Sequence, residues 1–121
     1  KAVVYPFGSN NELVRKVASE YYEMGIATYA GEEYPGCIVK IPFDPYQIKR
    51  VSAQAENINE IFKKMDEAVE SKSWIILVSH VDQGSWYSDE RVRDIIEHAL
   101  NSGLEFVTLE EGFTQMQGFK E

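Results

Sequence analysis

The stretch WIILV, at positions 74–78, is apolar at five consecutive positions. Because neighbouring side chains of a β-strand point to opposite faces of a sheet, such a run predicts a strand that is covered on both faces. The run is far shorter than the roughly 20 apolar residues that a membrane helix needs. We therefore expect an α/β domain with this segment as its central strand and with no membrane span.

Helical patterns alternate with the strand-like segments. Ser9 and Glu12 have the spacing of a capping box, so we expect a first helix to begin at Ser9, and Gly25 is placed to end it. A second helix is predicted from 57 to about 70, and Ser88 is placed to cap a third. The apolar residues of the first helix recur at helical spacing and predict its buried face: Leu13, Val14, Val17, Ala18, Tyr21 and Met24.

Further strands are predicted before, between and after these helices. AVVY opens the chain, IATYA follows the first helix at 26–30, and LEFVTL follows the third at 104–109. The segment at 43–52 is expected to be irregular, because Pro42 and Pro45 forbid a regular helix. Alternating strands and helices predict a single domain over 1–121 with a mainly parallel sheet. A flavodoxin-like or receiver-like fold is the alternative, although no phosphate-binding or acidic pocket stands out.

The composition excludes one class of partner. The net charge is −8, and the acidic residues are spread along the chain, so a nucleic acid would be repelled. Cys37 is the only cysteine, which rules out an internal disulfide, and within CIVKI it is expected to be a core residue. The chain begins with Lys1 and carries no signal peptide, so we expect it to be part of a longer protein.

The residues that could carry chemistry follow the WIILV strand. Ligands of parallel α/β folds bind at the carboxyl ends of the strands, where SHVDQGSWYS, at 79–88, is expected to lie. His80 could act as a general acid or base, or it could be a polar strand end that the backbone satisfies. Asp82 could orient that imidazole or cap the loop, and Trp86 could stack on a sugar ring or cover the core. We include both among the expected substrate-binding residues.

Other catalytic arrangements find little support. The chain has two histidines, no His-x-x-x-His spacing and no Asp-Asp pair, so no self-contained metal site is predicted. It also lacks the G-x-S-x-G motif and the glycine motifs that bind phosphate. His98 lies opposite the apolar stripe of the third helix, so we expect it to be solvated.

Several segments, in this order, resemble the polysaccharide deacetylase superfamily, which is also called the NodB homology domain or carbohydrate esterase family 4. YPFGSNNELVRKVASEYYEMGIATYAG is similar to the family's YPFG-type motif with its following helix and strand. WIILVSHVDQG is similar to its last motif, a hydrophobic strand that ends Leu-x-His. DERVRDIIEHALNSG and LEFVTLEEGF are similar to its closing helix and strand. The resemblance spans nearly the whole chain and implies part of a deformed (β/α) barrel.

The resemblance implies roles at the matching positions. Tyr5 and Phe7 belong to the motif that lines the substrate groove, and the main-chain N–H of Phe7 would help to hold the oxyanion of a tetrahedral intermediate. Leu77 would help to form the pocket for the acetyl methyl group, and His80 would be the general acid to the leaving amine or alcohol. The implied substrate is an acetylated polysaccharide.

The chain also departs from the family's pattern. Many members carry an arginine two positions before the motif's proline, which pairs with the catalytic aspartate, whereas this chain has Val4 there. Arg50 could supply an auxiliary cation instead, or it could be a surface residue. The family's Asp-Asp and His-x-x-x-His motifs, which provide the base and the ligands of a zinc-like divalent metal, precede the YPFG motif and do not occur here. The resemblance therefore implies the C-terminal part of a deacetylase domain.

Two functions from different classes follow. The first is the C-terminal part of a carbohydrate deacetylase, whose parent removes N- or O-acetyl groups from glycans in an extracellular or cell-surface location, while this chain alone is inactive. The second is a non-catalytic glycan-binding or assembly module of a cell-surface or phage structural protein. Because half a barrel would leave strand edges and apolar faces open, we expect that a homo-oligomer or a missing N-terminal half covers them, or that the sheet has rearranged into an open sandwich.

Overall fold

A computed structural model describes residues 1–27, 36–53, 57–79 and 89–118. Within these residues the chain is a mixed α/β structure with four α-helices, four short strands and one short 3₁₀ helix, which confirms the α/β part of the predicted fold class. None of the described helices has both the length and the apolar character that crossing a bilayer requires. The strands are β1 (Ala2–Val4), β2 (Met24–Ile26), β3 (Val51–Ser52) and β4 (Leu77–Val78), and the helices are α1 (Glu12–Tyr21), α2 (Ile58–Ser71), α3 (Asp89–Ser102) and α4 (Leu109–Gly118).

The four strands form two parallel pairs, β1 with β2 and β3 with β4. Ile48 joins the two pairs. Its N–H donates to the carbonyl of Gly25 at 3.0 Å, and its own carbonyl accepts from the N–H of Ala27 at 2.7 Å. The strands therefore follow one another in chain order, and no barrel closes within the described residues.

The described residues between β2 and β3, 27 and 36–50, contain no helix, as the prolines predicted for 43–52, but they are more ordered than expected. Val39 pairs antiparallel with Trp74 through hydrogen bonds of 2.7 and 3.1 Å. The end of the segment forms β3 itself. As a result, only Leu77 and Val78 of WIILV form a regular parallel strand, while Trp74 bonds to an antiparallel neighbour.

The WIILV segment is covered on both faces, as its apolar pattern predicted. Ile75 and Leu77 pack against the cluster that α2 and α3 form with Ala53. Trp74 and Ile76 belong to a second cluster on the opposite face. The buried members of this second cluster are Met24, Ile26, Val39, Ile48, Trp74 and Met116.

The first helix begins and ends at residues other than those predicted. Asn11 caps α1, because its side-chain Oδ1 accepts a hydrogen bond from the N–H of Val14 at 2.8 Å. Ser9 instead ends the 3₁₀ helix Pro6–Gly8, to whose first carbonyl its N–H donates at 3.0 Å. The predicted capping box at Ser9 is therefore wrong. Gly25, the predicted end of the helix, lies within β2.

The apolar face of α1 does not pack into the core as the pattern predicted. Ala18 is the buried residue of this helix, whereas Leu13 and Tyr21 are 68% and 71% exposed. Val14 and Val17 are 41% and 47% exposed. Of the six residues of the predicted stripe, Ala18 and Met24 are buried, and the other four are exposed.

His98 links α3 to α2. Its Nε2 lies 2.7 Å from Oδ1 of Asp66, and its ring stacks on that of Phe62 with the centroids 4.1 Å apart. His98 was predicted to be solvated, and it is partly so, because 27% of its side chain is exposed. These contacts add to the apolar packing of the two helices, which bury Ile61, Met65, Ala68, Ile95 and Ala99.

The predicted last strand is absent, since residues 104–108 form no regular element. Thr108 instead caps α4. Its Oγ1 accepts from the N–H of Glu111 at 3.1 Å, and its N–H donates to Oε1 of Glu111 at 2.8 Å. These hydrogen bonds also lower the pKa of Glu111. α4 then packs where the strands begin, because Met116 joins Met24 and Trp74 in one cluster.

Gly112→Ala is expected to destabilise the fold, because a methyl group at this position would lie 2.6 Å from the indole of Trp74. Overpacking of this kind costs about 1–3 kcal/mol, which urea unfolding can measure. Gly118→Ala in the same helix is the control, since no atom lies within 4 Å of its added methyl group. Equal stability of the two variants would contradict the packing of Trp74 on α4.

Candidate functional site

The candidate site is the edge at which the strands end. Parallel pairing brings the carboxyl ends of the strands to one edge, where ligands of α/β folds bind. The 3₁₀ helix Pro6–Gly8 follows β1 at this edge, and Ser79 follows β4. α4 lies at the opposite, amino-terminal edge, so it does not cover the candidate site.

Three predicted site residues lie outside the described residues. His80, Asp82 and Trp86 all belong to the segment 80–88. Their predicted roles in acid catalysis and substrate binding stay predictions. The structure does fix the strand from which His80 follows, since β4 and Ser79 directly precede it.

The 3₁₀ helix after β1 leaves one main-chain donor unused by the turn. Its hydrogen bonds run from the N–H of Gly8 to the carbonyl of Tyr5 at 2.8 Å and from the N–H of Ser9 to the carbonyl of Pro6 at 3.0 Å. Proline has no N–H, so the N–H of Phe7 is the first donor of the turn, and the 3₁₀ pattern gives it no acceptor. Gly8 has φ 72°, a left-handed conformation that favours glycine and lets the turn form.

Tyr5 holds this turn from the core side. Its side chain is 3% exposed, and its hydroxyl donates to the main-chain carbonyl of Tyr46 at 2.8 Å. The ring lies over Gly25 and leaves no room for a side chain there. Loss of water around the phenol raises the pKa of Tyr5. The predicted contact between Tyr5 and substrate stays a prediction.

Arg50 lies on the face of the sheet that is turned away from α2. Val51 and Ala53 are buried, and Ala53 packs in the cluster with α2 and α3. Because side chains alternate along an extended chain, Arg50 and Ser52 lie on the opposite face, and Arg50 directly precedes the amino end of β3. The predicted role of Arg50 as an auxiliary cation at the site stays a prediction.

The guanidinium of Arg50 has an unusual environment. Its Nε atom is buried, and it has no hydrogen-bond partner within the part of the chain that the structure describes. A buried donor without an acceptor costs about 1–3 kcal/mol and is uncommon in folded proteins. The burial of this atom also distinguishes Arg50 from an ordinary surface arginine, whose donors bond to water. Sequence patterns gave no signal for this burial, since it depends on the packing around β3.

Leu77 lies on the other face of the sheet from Arg50. It is partly buried, packs against the cluster of α2 and α3, and lines a cavity of about 410 Å³ between 72–77 and 104–109. The walls of this cavity are mainly apolar and include Leu104 and Phe106. An apolar wall suits a small apolar group, and the predicted role of Leu77 beside an acetyl methyl group stays a prediction.

The sequence did not reveal this cavity, because LEFVTL was expected to form the last strand. The capping box at Thr108 draws the end of that segment into α4 instead. The remaining residues, 104–107, then line an open space.

No three His, Cys, Asp or Glu side chains come together as a metal site in residues 1–27, 36–53, 57–79 and 89–118. The zinc-like divalent metal that the resemblance implies therefore has no ligand set among these residues.

Comparisons of the chain with protein-family models, with curated proteins and with solved structures each gave no match. The resemblance to polysaccharide deacetylases thus depends on the sequence motifs alone and stays a prediction.

Tyr5→Phe is expected to lower the free energy of unfolding by about 0.5–1.5 kcal/mol near pH 7, because the carbonyl of Tyr46 loses its donor. Since the folded-state pKa of Tyr5 is raised, its contribution is complete below about pH 10 and is lost as the pH rises through the folded-state pKa. The difference between Tyr5→Phe and the parent should therefore shrink in alkali. Tyr21→Phe at an exposed position is the control, and a constant difference across pH would contradict the burial of Tyr5.

Arg50→Met is expected to leave the stability unchanged or to raise it by about 1 kcal/mol, because it removes a buried donor that has no acceptor. Arg93→Met, at an exposed position of α3, is the matched control. Both variants can be compared by urea unfolding. A loss of stability in Arg50→Met but not in Arg93→Met would show that Arg50 stabilises the fold. It would contradict the interpretation that the Nε of Arg50 is available to a ligand or to a further chain segment.

Proposed function

We propose that this chain forms the C-terminal part of a polysaccharide-deacetylase-like domain that removes acetyl groups from a glycan. The observation that carries the proposal is the turn after β1. It places an N–H that the turn itself does not use, that of Phe7, at the carboxyl edge of parallel strands that run in chain order. Chain-order parallel strands are expected for part of a (β/α) barrel, whereas a flavodoxin-like sheet changes direction at its first strand.

In this proposal the chain supplies two steps of an acyl transfer to water. The N–H of Phe7 donates to the oxyanion that forms when water attacks the acetyl carbonyl. His80 then gives a proton to the nitrogen or oxygen of the sugar as the bond to the acetyl group breaks. Arg50 provides a buried Nε donor from which a carboxylate outside the described residues can accept a hydrogen bond.

The described residues do not fit a metal, so no step through a metal is assigned to this chain. A base and an electrophile would have to come from outside these residues. We therefore propose that the chain alone binds acetylated glycan but does not hydrolyse it.

The exposed stripe of α1 favours the second candidate, a non-catalytic assembly module. Contiguous apolar side chains in solvent are typical of an interaction surface, and Leu13 and Tyr21 are among the most exposed large apolar residues of the described chain. The two proposed functions make different demands on the carboxyl edge of the strands. A deacetylase must recognise acetyl groups there, whereas an assembly module need not.

The proposal can be tested by an NMR titration of the chain with an acetylated chitin oligosaccharide, with the fully deacetylated oligosaccharide as the control. The acetylated sugar should shift the amide signals of Phe7 and Gly8 most strongly, and the control should not. Acetate release should stay at the background level. If neither sugar shifts these amide signals, or if both shift them equally, the proposed substrate is wrong. Acetate release by the chain alone would contradict the proposal that hydrolysis needs residues outside the described ones.

A further inference from the structure

We infer that the exposed stripe of α1 and the outer edge of β1 form a two-fold interface between two copies of this chain. The stripe consists of Leu13, Val14, Val17 and Tyr21. The interface lies on the side of the sheet and not at the carboxyl edge. It uses the edge of β1 that the preceding strand of a longer barrel would occupy, so it is an inference about this chain by itself and does not depend on the proposed function.

The stripe and the strand edge face the same way. At 100° per residue, the centre of the stripe lies roughly 90° around α1 from Ala18, the residue that the helix buries. A right-handed β1–α1–β2 crossover turns this side of the helix toward the outer edge of β1, away from β2. Within the described residues β1 pairs only with β2, and no other described strand lies along its outer edge.

A single two-fold axis, perpendicular to the sheet and beside β1, covers both features. It pairs the two β1 strands antiparallel at about 4.8 Å. α1 lies over the gap between β1 and β2, half a strand spacing inward, so the two α1 helices come about 10 Å apart. Helices pack at separations of about 8–10 Å, and the stripes of the two copies therefore meet when the strands pair.

The charges beside the stripe favour a second copy as its occupant. Lys16 and Glu20 are exposed, lie one turn apart on the solvent side of the stripe, and form no ion pair with another described residue. When two α1 helices run antiparallel about an axis near Val17, Lys16 of each copy lies beside Glu20 of the other. The surface is therefore complementary to itself in charge as well as in apolar character, which a two-fold interface requires.

The first test is sedimentation velocity of the whole chain over a range of concentrations. The parent should be a dimer, and Val17→Asp should be a monomer. Because Val17 is exposed in a single copy of the chain, Val17→Asp should unfold at the same temperature as the parent does at concentrations where the parent is monomeric. Ser19→Asp, on the opposite side of α1, should remain a dimer. A parent that is monomeric at its highest soluble concentration, or oligomers that Val17→Asp does not affect, would overturn the inference.

The second test exchanges the charges. Lys16→Glu and Glu20→Lys each place like charges across the axis, and each should weaken dimerisation by about tenfold. The double variant restores both pairs in reversed order and should recover the affinity of the parent. Circular dichroism of each variant checks that helix content is unchanged. A double variant that is no tighter than the single variants would overturn the antiparallel arrangement of α1.

Discussion

The pairing of Ile48 with β2 is the joint on which the rest of the structure depends. This residue is buried and makes two main-chain hydrogen bonds to the β2 side, and three residues later the chain enters β3 beside β4. Parallel strands need a long connection between them, so the two pairs could not be joined by a tight turn. Burial of Met24, Trp74 and Met116 around the same joint adds the apolar contacts that link the two halves.

The sequence predicted those elements whose signals have no local competitor. WIILV is apolar at every position and packs on both faces, and α2 spans Ile58–Ser71 close to its predicted range. The errors occur where two local signals compete within a few residues. Asn11 displaces Ser9 as the cap of α1, and the capping box of Thr108 ends the extended segment that the pattern of LEFVTL favoured. Such choices depend on hydrogen-bond geometry, which periodicity does not report.

For the candidate site, the sequence predicted its location at the carboxyl edge of the strands, but not the burial or the hydrogen-bond partners of the polar groups there. Strand alternation and the position of Pro6–Gly8 follow from pattern and turn chemistry, and the structure has them as expected. The burial of the Arg50 Nε, and its lack of a partner among the described residues, depend on how the segments pack against one another. Likewise, the spacing of apolar residues on α1 established an amphipathic helix, but it could not show that the apolar side faces outward. An amphipathic pattern indicates that the apolar face packs against something, but it does not distinguish the helix's own chain from another chain.

Two tyrosines make the beginning of the candidate edge a rigid unit. The hydroxyl of Tyr5 bonds to the carbonyl of Tyr46, and the hydroxyl of Tyr46 bonds to the carbonyl of Tyr22, each at 2.8 Å. The turn after β1, the approach to Ile48 and the end of α1 are thereby tied to one another by side chains with few rotatable bonds. A displacement of the turn would have to stretch this chain of hydrogen bonds or carry the end of α1 with it. The position of the turn is therefore set by hydrogen bonds that lie outside the turn itself.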